Sequence, residues 1–301
     1  MDRRWIVMGS FLAAVVGAAS RVASAFFLRA LEKATEWQTD HPWLLYLLPL
    51  AGIVIAWSYQ GFGKSAAGGN NLILDQIHAA DQVNRIPVRM FPLVPIATVL
   101  THLFGGSAGR EGTAVQMGGA IASWVARVLR LQPAHLRILL MCGISGGFAS
   151  VFGTLLAGTI FGMEVLAIGG MSYDALIPCL VAAIVGDLVV GDLGIHHRAY
   201  TISATIPELS ISTLALVIVA SVAFGLASLL FAEATGYVER LSKRLVTNAI
   251  WRTFLGGFVV IGITLVLGTR IYNGLSLPLL ADAFSGQSVP IFAFLFKRST
   301  G

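Results

Sequence analysis

Charged residues are scarce in this sequence. Only 12% of its 301 residues are Asp, Glu, Lys or Arg, whereas an average soluble domain carries about 25%. This composition excludes an ordinary water-soluble enzyme, and the 56% content of hydrophobic residues excludes a disordered chain. We therefore expect the chain in a membrane, where about 20 apolar residues form one spanning helix. The length leaves room for on the order of ten membrane segments with short loops.

Cysteine is nearly absent, with Cys142 and Cys179 as the two examples. Both lie inside apolar runs, so we interpret them as packing residues rather than as a disulfide or metal pair. No cofactor and no metal site are predicted. The first apolar run has no small-residue cleavage site, so we predict no cleaved signal peptide. The net charge of +5 comes from cations in short loops, a pattern that orients membrane proteins and does not indicate nucleic-acid binding.

Apolar runs alternate with short polar loops along the chain. They fall at about 5–32, 43–59, 86–104, 113–129, 136–168, 175–190, 209–235, 250–267 and 289–296. The run at 136–168 is too long for one span, and we split it at its glycines near 145–147. Basic residues cluster in alternate loops, and the positive-inside rule then places the N-terminus in the cytoplasm. We expect a multi-pass integral protein of a bacterial inner membrane.

Two stretches of opposite predicted orientation show the same order of features. In each, a long apolar run precedes a Gly-containing helix, a polar half-helix and an apolar-Pro pair, Ile86-Pro87 in the first and Val289-Pro290 in the second. This order predicts an inverted repeat, a frequent transporter architecture with its site at the repeat interface. We place the first repeat at 1–190 and a partial second repeat at 205–301. The predicted fold class is an all-α polytopic membrane protein with broken, re-entrant helices.

A glycine-rich loop with two charges lies between two apolar runs, at residues 105–113. Charged side chains at membrane depth are costly and mark functional sites. We predict a helix that starts near Thr113 and points its free amides and positive dipole end at the loop, where an anion could bind. Glu111 could occupy that site when ionised and leave it when protonated, which would couple anion and proton movement. The alternative is a surface loop with an Arg–Glu pair.

A second glycine-rich helix start has the sequence Gly68-Gly69-Asn70-Asn71. Asn is a favoured N-cap residue, and its amide NH₂ is a neutral donor that could face an anion. The alternative is a helix cap without a ligand. Two such helix starts that reach the membrane interior favour an anion path.

A third motif, Gly143-Ile144-Ser145-Gly146, matches the short Gly-x-Ser-Gly pattern of rhomboid-type intramembrane serine proteases. That chemistry needs a base to activate the serine, and His196 and His197 fall in a loop. Small residues at this spacing also permit close helix packing. A protease is therefore a distant alternative. Glu164, at the end of the same region, is either a buried partner or a helix-end residue.

The segment Gly109-Arg110-Glu111-Gly112 resembles the GREGP-type motif of the CLC chloride channel and transporter family. The stretch from Gly153 to Glu164 resembles a conserved segment that follows that motif in the family, and the order fits up to residue 296. The resemblance implies a CLC-like fold, no enzymatic activity, and Glu111 as the gating glutamate and proton shuttle. It also implies anion contacts from Asn70, Asn71, Gly109, Arg110, Gly112 and Thr113.

Two departures from the common family pattern resemble the fluoride-exporting clade, whose members exchange fluoride for protons. Asn70 stands in place of an anion-coordinating serine, and Thr113 in place of proline. Val165 stands where chloride/proton exchangers carry an internal proton-transfer glutamate, which fluoride-type members also lack. The resemblance therefore implies fluoride export coupled to proton entry. A voltage-gated-type chloride channel or a chloride/proton exchanger is the alternative.

The family pattern continues with a second glycine-rich anion loop, a coordinating tyrosine and late helices used in a homodimer interface. We find no counterpart of these features before residue 301. We therefore expect a C-terminally truncated member with an incomplete second repeat, and a non-conducting remnant is a further hypothesis. The implied partners are fluoride or chloride, protons and the lipid bilayer, with a family-type homodimer that would lack its late interface helices.

Overall fold

The computed structural model describes residues 3–66, 68–78, 86–164, 171–188, 208, 210–275 and 277–285. All regular structure in these ranges is helical. The α-helices are α1 Arg3–Asp40, α2 Leu48–Gly61, α3 Asn70–His78, α4 Met90–Leu103, α5 Arg110–Val128, α6 Pro133–Phe152, α7 Leu155–Glu164, α8 Leu176–Leu188, α9 Ile211–Leu245, α10 Ala249–Leu267 and α11 Leu277–Phe284. Short 3₁₀ helices occur at Pro42–Leu47, Lys64–Ala66 and Tyr173–Ala175.

Within the described ranges, five helical stretches are long and apolar enough to cross a membrane. They are Met8–Asp40, Pro42–Gly61, Pro133–Phe152, Ile211–Leu245 and Ala249–Leu267. Other apolar helices, such as α4 and α7, are shorter than a full span. This mixture of long and short apolar helices confirms the prediction of an all-α polytopic membrane protein. The apolar run predicted at 289–296 lies outside the described residues.

Small residues bring the helices of the core into backbone contact. Gly118 of α5 lies directly against the backbone of Gly143 in α6, and Gly17 of α1 lies against Ala182 of α8. A side chain at any of these glycines would collide with a neighbouring main chain. Because lipid tails are as apolar as leucine, membrane helices associate through such close packing rather than through the hydrophobic effect. These contacts fix α1, α5, α6 and α8 as the rigid centre of the molecule.

Helix α6 runs without a break through residues 145–147, so the predicted split at these glycines is wrong. An ideal Cβ on Gly147 would lie 2.6 Å from the carbonyl oxygen of Ala114 in α5. The glycine is therefore required for close helix approach and not for a turn. The helix ends instead at Gly153, whose φ of 67° is the left-handed conformation common at helix C-termini.

One end of the helix bundle carries a cluster of arginines, which we name the basic end. Arg89 donates to the Phe62 carbonyl at 3.3 Å, and Arg127 donates to the Ile86 carbonyl at 3.0 Å. Arg130 lies in the link between α5 and α6, three residues after Arg127, and is exposed. These bonds bring the end of α2, the start of α4 and the end of α5 to the same side of the bundle.

The opposite end holds the end of α1 and the glycine-rich loop. An ideal Cβ on Gly105 would lie 3.0 Å from Leu45 Cδ1 and 3.1 Å from Gln38 Nε2. Ile261 of α10 packs in one cluster with Leu45 and Leu48. The end of α10 therefore reaches this same side of the bundle.

The two predicted repeats show the same succession of helices. A long helix, a medium one and a short one follow in the order α1, α2, α3 and again in the order α9, α10, α11. Gly69 precedes the first short helix with a φ of 57°, and Gly274 precedes the second with a φ of 66°. The boundaries at 190 and 205 stay a prediction, since residues 189–207 lie outside the described part of the chain.

Candidate anion site

Helix α4 is too short to cross a bilayer. Its 14 residues rise about 21 Å at 1.5 Å per residue, whereas the hydrocarbon core is about 30 Å thick. Because α4 begins at the basic end, the loop that follows it lies towards the opposite end of the bundle, where Gly105 is next to Gln38 and Leu45. Gly105 closes the helix with a φ of 75°, and the Gly106 amide donates to the Thr101 carbonyl at 2.8 Å. The chain thus turns back towards α5.

Helix α5 begins at Arg110, three residues before the predicted start at Thr113. Gly109 is its N-cap, with φ −70° and ψ 134°, and no side chain caps the helix. The first-turn amides therefore have no acceptor within the helix, and the positive end of the helix dipole points into the loop. The earlier start moves Glu111 and Gly112 from the loop into the first turn.

The Glu111 side chain folds back over this helix start. An ideal Cβ on Gly109 would lie 2.9 Å from Glu111 Oε2, which places the carboxylate beside the N-cap residue of α5. The side chain is exposed. Among the described residues it makes no ion pair with Arg110, so the alternative of a surface Arg–Glu pair does not hold.

The Arg110 guanidinium packs against an aromatic ring instead of the carboxylate. It lies 5.1 Å from the centre of the Phe152 ring, at the end of α6. Phe152 contacts Phe148 at 4.5 Å between ring centres, and Phe148 stacks on Phe161 at 4.4 Å. Such a cation–π contact keeps the positive charge near the start of α5 without neutralising the carboxylate.

Thr113 faces α4. Its Oγ1 lies 2.8 Å from Thr98 Oγ1 and donates to the Gly109 carbonyl at 3.2 Å. His102 Nδ1 donates to the Thr98 carbonyl at 2.9 Å. These bonds tie the loop to α4, so the Thr113 hydroxyl positions Gly109 and is not directed at an anion.

The second predicted helix start lies directly against the first. An ideal Cβ on Gly112 would lie 3.2 Å from Asn70 Nδ2, so a larger residue there would require the amide group to shift. Asn70 is the first residue of α3 rather than its cap. Asn71 is exposed, and its backbone amide donates to the Gly68 carbonyl at 3.2 Å. The structure thus brings Glu111, Gly112 and Asn70 together.

Gln116 is a site residue that the sequence analysis missed. Its Nε2 lies 3.8 Å from the ideal Cβ positions of both Gly69 and Gly112, and the residue is half-buried. Gln116 follows Gly112 by four residues, so helical periodicity places both on one face. That spacing could have indicated that Gln116 faces the same way as Gly112. The predicted helix start at Thr113 placed Gly112 outside the helix, so the shared face was not recognised. Two side-chain amides, from Asn70 and Gln116, therefore flank the glycines.

The other candidate residues have packing roles. Ser145 is buried and donates to the Cys179 carbonyl at 3.0 Å, a main-chain oxygen rather than a base. Cys142 and Cys179 are both free and buried, which confirms their interpretation as packing residues. Glu164 is exposed as the last residue of α7, which supports the helix-end interpretation. His196 and His197 lie outside the described residues.

A family model described as voltage gated chloride channel matches residues 51–298 of the chain. The chain belongs to the CLC family of voltage-gated chloride channels. A chloride/fluoride channel protein of Pseudomonas syringae pv. tomato is 48% identical over 269 residues, which are 89% of this chain and 58% of that protein. An H⁺/Cl⁻ exchange transporter of Vibrio vulnificus is 34% identical over 177 residues, which are 51% of this chain and 36% of that protein.

Solved structures of CLC proteins share the fold. The crystal structure of a CLC-type fluoride/proton antiporter matches with a TM-score of 0.94 and 30% identity, covering 100% of this chain and 75% of that one. A slow cyanobacterial Cl⁻/H⁺ antiporter matches with a TM-score of 0.77 and 21% identity, which shows the fold alone. These matches confirm the predicted CLC-like fold. The chain spans a little over half the length, 58%, of its Pseudomonas relative.

Proposed function

We propose that this CLC-family chain exports fluoride in exchange for protons, with Glu111 as the group that carries the proton. The observation that supports this most is the position of the Glu111 carboxylate, beside Gly109 at the uncapped start of α5. An ionised carboxylate and a small anion compete for the same donors. Protonation makes the side chain neutral, weakens its attraction to the amides and lets an anion enter.

The proposed cycle needs no other titratable group at this point of the path. When the anion leaves, the Glu111 side chain can return to the amides as a carboxylate only by giving up its proton. Each exchange of carboxylate for anion thus accompanies a proton transfer, and the two movements are coupled through one side chain. The Arg110 charge, held against Phe152, favours a negative occupant in either form of the site.

Fluoride is proposed over chloride because of the donors that surround the site. Fluoride is small and strongly hydrated, so a site must replace its water with close, strong donors. The amides of Asn70 and Gln116 both lie next to Gly112 and could supply them. The Pseudomonas relative is named for both chloride and fluoride, and the antiporter structure is named for fluoride. The Vibrio relative is named for chloride. A chloride channel or chloride/proton exchanger is the alternative.

The test is efflux from liposomes that contain the purified chain and are loaded with sodium fluoride or sodium chloride. We expect faster fluoride than chloride efflux, measured with ion-selective electrodes, together with proton uptake into the liposomes. Chloride efflux without fluoride efflux would contradict the proposed substrate. Fluoride efflux without proton uptake would indicate a channel. Neither form of transport involves an enzymatic step, and the position of Ser145 offers no activated nucleophile in the described residues.

We further propose a bacterial inner membrane and a cytoplasmic N-terminus. The support is the cluster of Arg89, Arg127 and Arg130 at the basic end of the bundle, since cationic loops remain in the cytoplasm. At the opposite end, α1 closes with Glu36 and Asp40. A homodimer of the family type also remains a proposal for this chain.

A further inference from the structure

A cavity of about 470 Å³ lies at the C-terminal end of α10, apart from the Glu111 site. It is lined by Leu45, Thr264, Leu265, Gly268, Thr269 and Arg270. Among the described residues, the lining contributes one cation and two hydroxyl groups and no carboxylate. We name it the Arg270 cavity. Its composition matches a negatively charged or strongly accepting occupant and disfavours a cation.

Two buried donors beside this cavity have no acceptor. Arg270 Nη1 and Asn273 Nδ2 are both enclosed and make no hydrogen bond. Buried donors in folded proteins are nearly always satisfied, by protein or by a bound partner. Two exceptions within four residues, one of them a guanidinium, leave these donors open to an acceptor from outside the described residues.

A tight turn holds these two donors in place. The Asn273 amide nitrogen donates to the Arg270 carbonyl at 3.0 Å, which closes the turn. Asn273 Oδ1 accepts a hydrogen bond from Thr264 Oγ1 at 3.3 Å. The Thr264 hydroxyl also donates to the Val260 carbonyl at 2.8 Å, so its single proton is shared between two acceptors. The turn thus holds the Asn273 side chain next to a threonine that lines the cavity.

The Arg270 cavity adjoins the loop that carries Glu111. Leu45 lines the cavity on one side and contacts Gly105 on the other. An ideal Cβ on Gly274, the residue after Asn273, would lie 4.0 Å from His102 Cδ2. His102 Nδ1 donates a hydrogen bond to the Thr98 carbonyl. The Thr98 hydroxyl is hydrogen-bonded to the Thr113 hydroxyl at the start of α5. The turn and the start of α5 thus both lie next to α4.

We propose that the Arg270 cavity binds a small monovalent inorganic anion, such as fluoride or chloride, separately from the Glu111 site. The guanidinium supplies the charge, and Asn273 Nδ2 with the Thr269 hydroxyl supplies neutral donors. A cationic cavity beside the path raises the local anion concentration at its mouth. The choice of a halide rests on the proposed function, whereas the existence of an anion site rests on the unsatisfied donors.

The test is equilibrium binding of radioactive chloride, and of fluoride followed with an electrode, to the full chain in an uncharged detergent. We expect Arg270→Gln to lower the affinity of one anion site at least tenfold and Arg270→Lys to retain part of it. Arg244→Gln is the matched control, because it removes the same charge at an exposed position in the last turn of α9. Equal binding by Arg270→Gln and Arg244→Gln would overturn the proposal.

A second variant keeps the proposal testable if Arg270→Gln does not fold. Asn273→Asp places a carboxylate next to the guanidinium and supplies the missing acceptor from within the protein. We expect this variant to lose halide binding at the cavity and to unfold at the same or a higher temperature than the wild type. Unchanged halide binding by Asn273→Asp would contradict the proposal. A site from which inorganic phosphate displaces the bound halide, and from which other halides do not, would also contradict it and would indicate a lipid headgroup site.

The binding test separates this proposal from the proposed function. If liposomes show no fluoride or chloride transport but Arg270→Gln still abolishes one binding site, the transport function fails and the anion site stands. If transport is coupled to protons but Arg270→Gln, Asn273→Asp and the wild type bind halide alike, the function stands and the anion site fails.

Discussion

At the scale of single residues, Gly112 decides how closely the two helix starts approach each other. Gly112→Ala adds a Cβ at 3.2 Å from Asn70 Nδ2, a distance that forces the amide to move. We expect a several-fold rise in the fluoride concentration for half-maximal transport. Gly225→Ala is the control, because nothing lies within 4 Å of the added Cβ on α9. Equal transport by both variants would show that the contact between α3 and α5 does not shape the site.

The two side-chain amides of the site are expected to act as anion donors. A hydrogen bond to a charged group contributes about 1.5–3 kcal/mol, which corresponds to roughly a tenfold change in affinity or more. Asn70→Leu and Gln116→Leu should each raise the half-maximal fluoride concentration by about this factor, as measured by initial rates of fluoride efflux.

Gln132→Leu is a matched control for Gln116→Leu. Gln132 is an exposed amide before α6 whose side chain makes no cap hydrogen bond. Its replacement should leave the fluoride dependence unchanged. If Gln116→Leu behaves like Gln132→Leu, Gln116 is not a ligand and the position of its amide next to Gly69 and Gly112 is incidental.

At the scale of helices, the contact between α5 and α6 depends on glycine at both Gly118 and Gly143. Adding side-chain atoms to a well-packed interior costs about 1–3 kcal/mol even where neighbours can adjust, and here the neighbour is a main chain. Gly118→Leu should therefore lower the thermal unfolding midpoint in detergent by several degrees or prevent folding. Gly225→Leu, on the open face of α9, should have the midpoint of the wild type. Equal midpoints would refute the close contact.

The sequence analysis predicted element type well and helix boundaries less well, for a physical reason. Glycine has two uses in a membrane helix, to turn the backbone and to admit a neighbouring helix, and sequence does not distinguish them. The glycines near 145–147 serve close packing, whereas Gly153 serves a turn. The same ambiguity placed the start of α5 at Thr113 rather than at Arg110.

The candidate site was predictable in part. Glu111 and Asn70 stand out because charged and amide groups next to glycines are rare in apolar sequence, and the structure places both at facing helix starts. Gln116 and the Arg270 cavity were missed because their significance depends on contacts between helices distant in sequence. The predicted anion contact of Thr113 through its backbone amide stays a prediction, whereas the bond from its hydroxyl to Thr98 of α4 is visible only in the structure.

At the scale of the whole molecule, the basic end should face the cytoplasm. We expect a cysteine introduced at Arg130 to react with a thiol reagent only after the inner membrane is opened, and one introduced at Asp40 to react in intact spheroplasts. Background should be low, since Cys142 and Cys179 are buried. Labelling of Arg130→Cys in intact spheroplasts would reverse the proposed orientation.

The measurement that tests the central claim most directly is the ratio of protons to fluoride ions moved by the wild type and by Glu111→Gln in the same liposomes. The glutamine keeps the shape of the side chain and cannot release a proton. The account predicts a fixed ratio for the wild type over a range of pH and fluoride gradients, and no fluoride-driven proton movement for Glu111→Gln. Proton movement by Glu111→Gln at the wild-type ratio would contradict it.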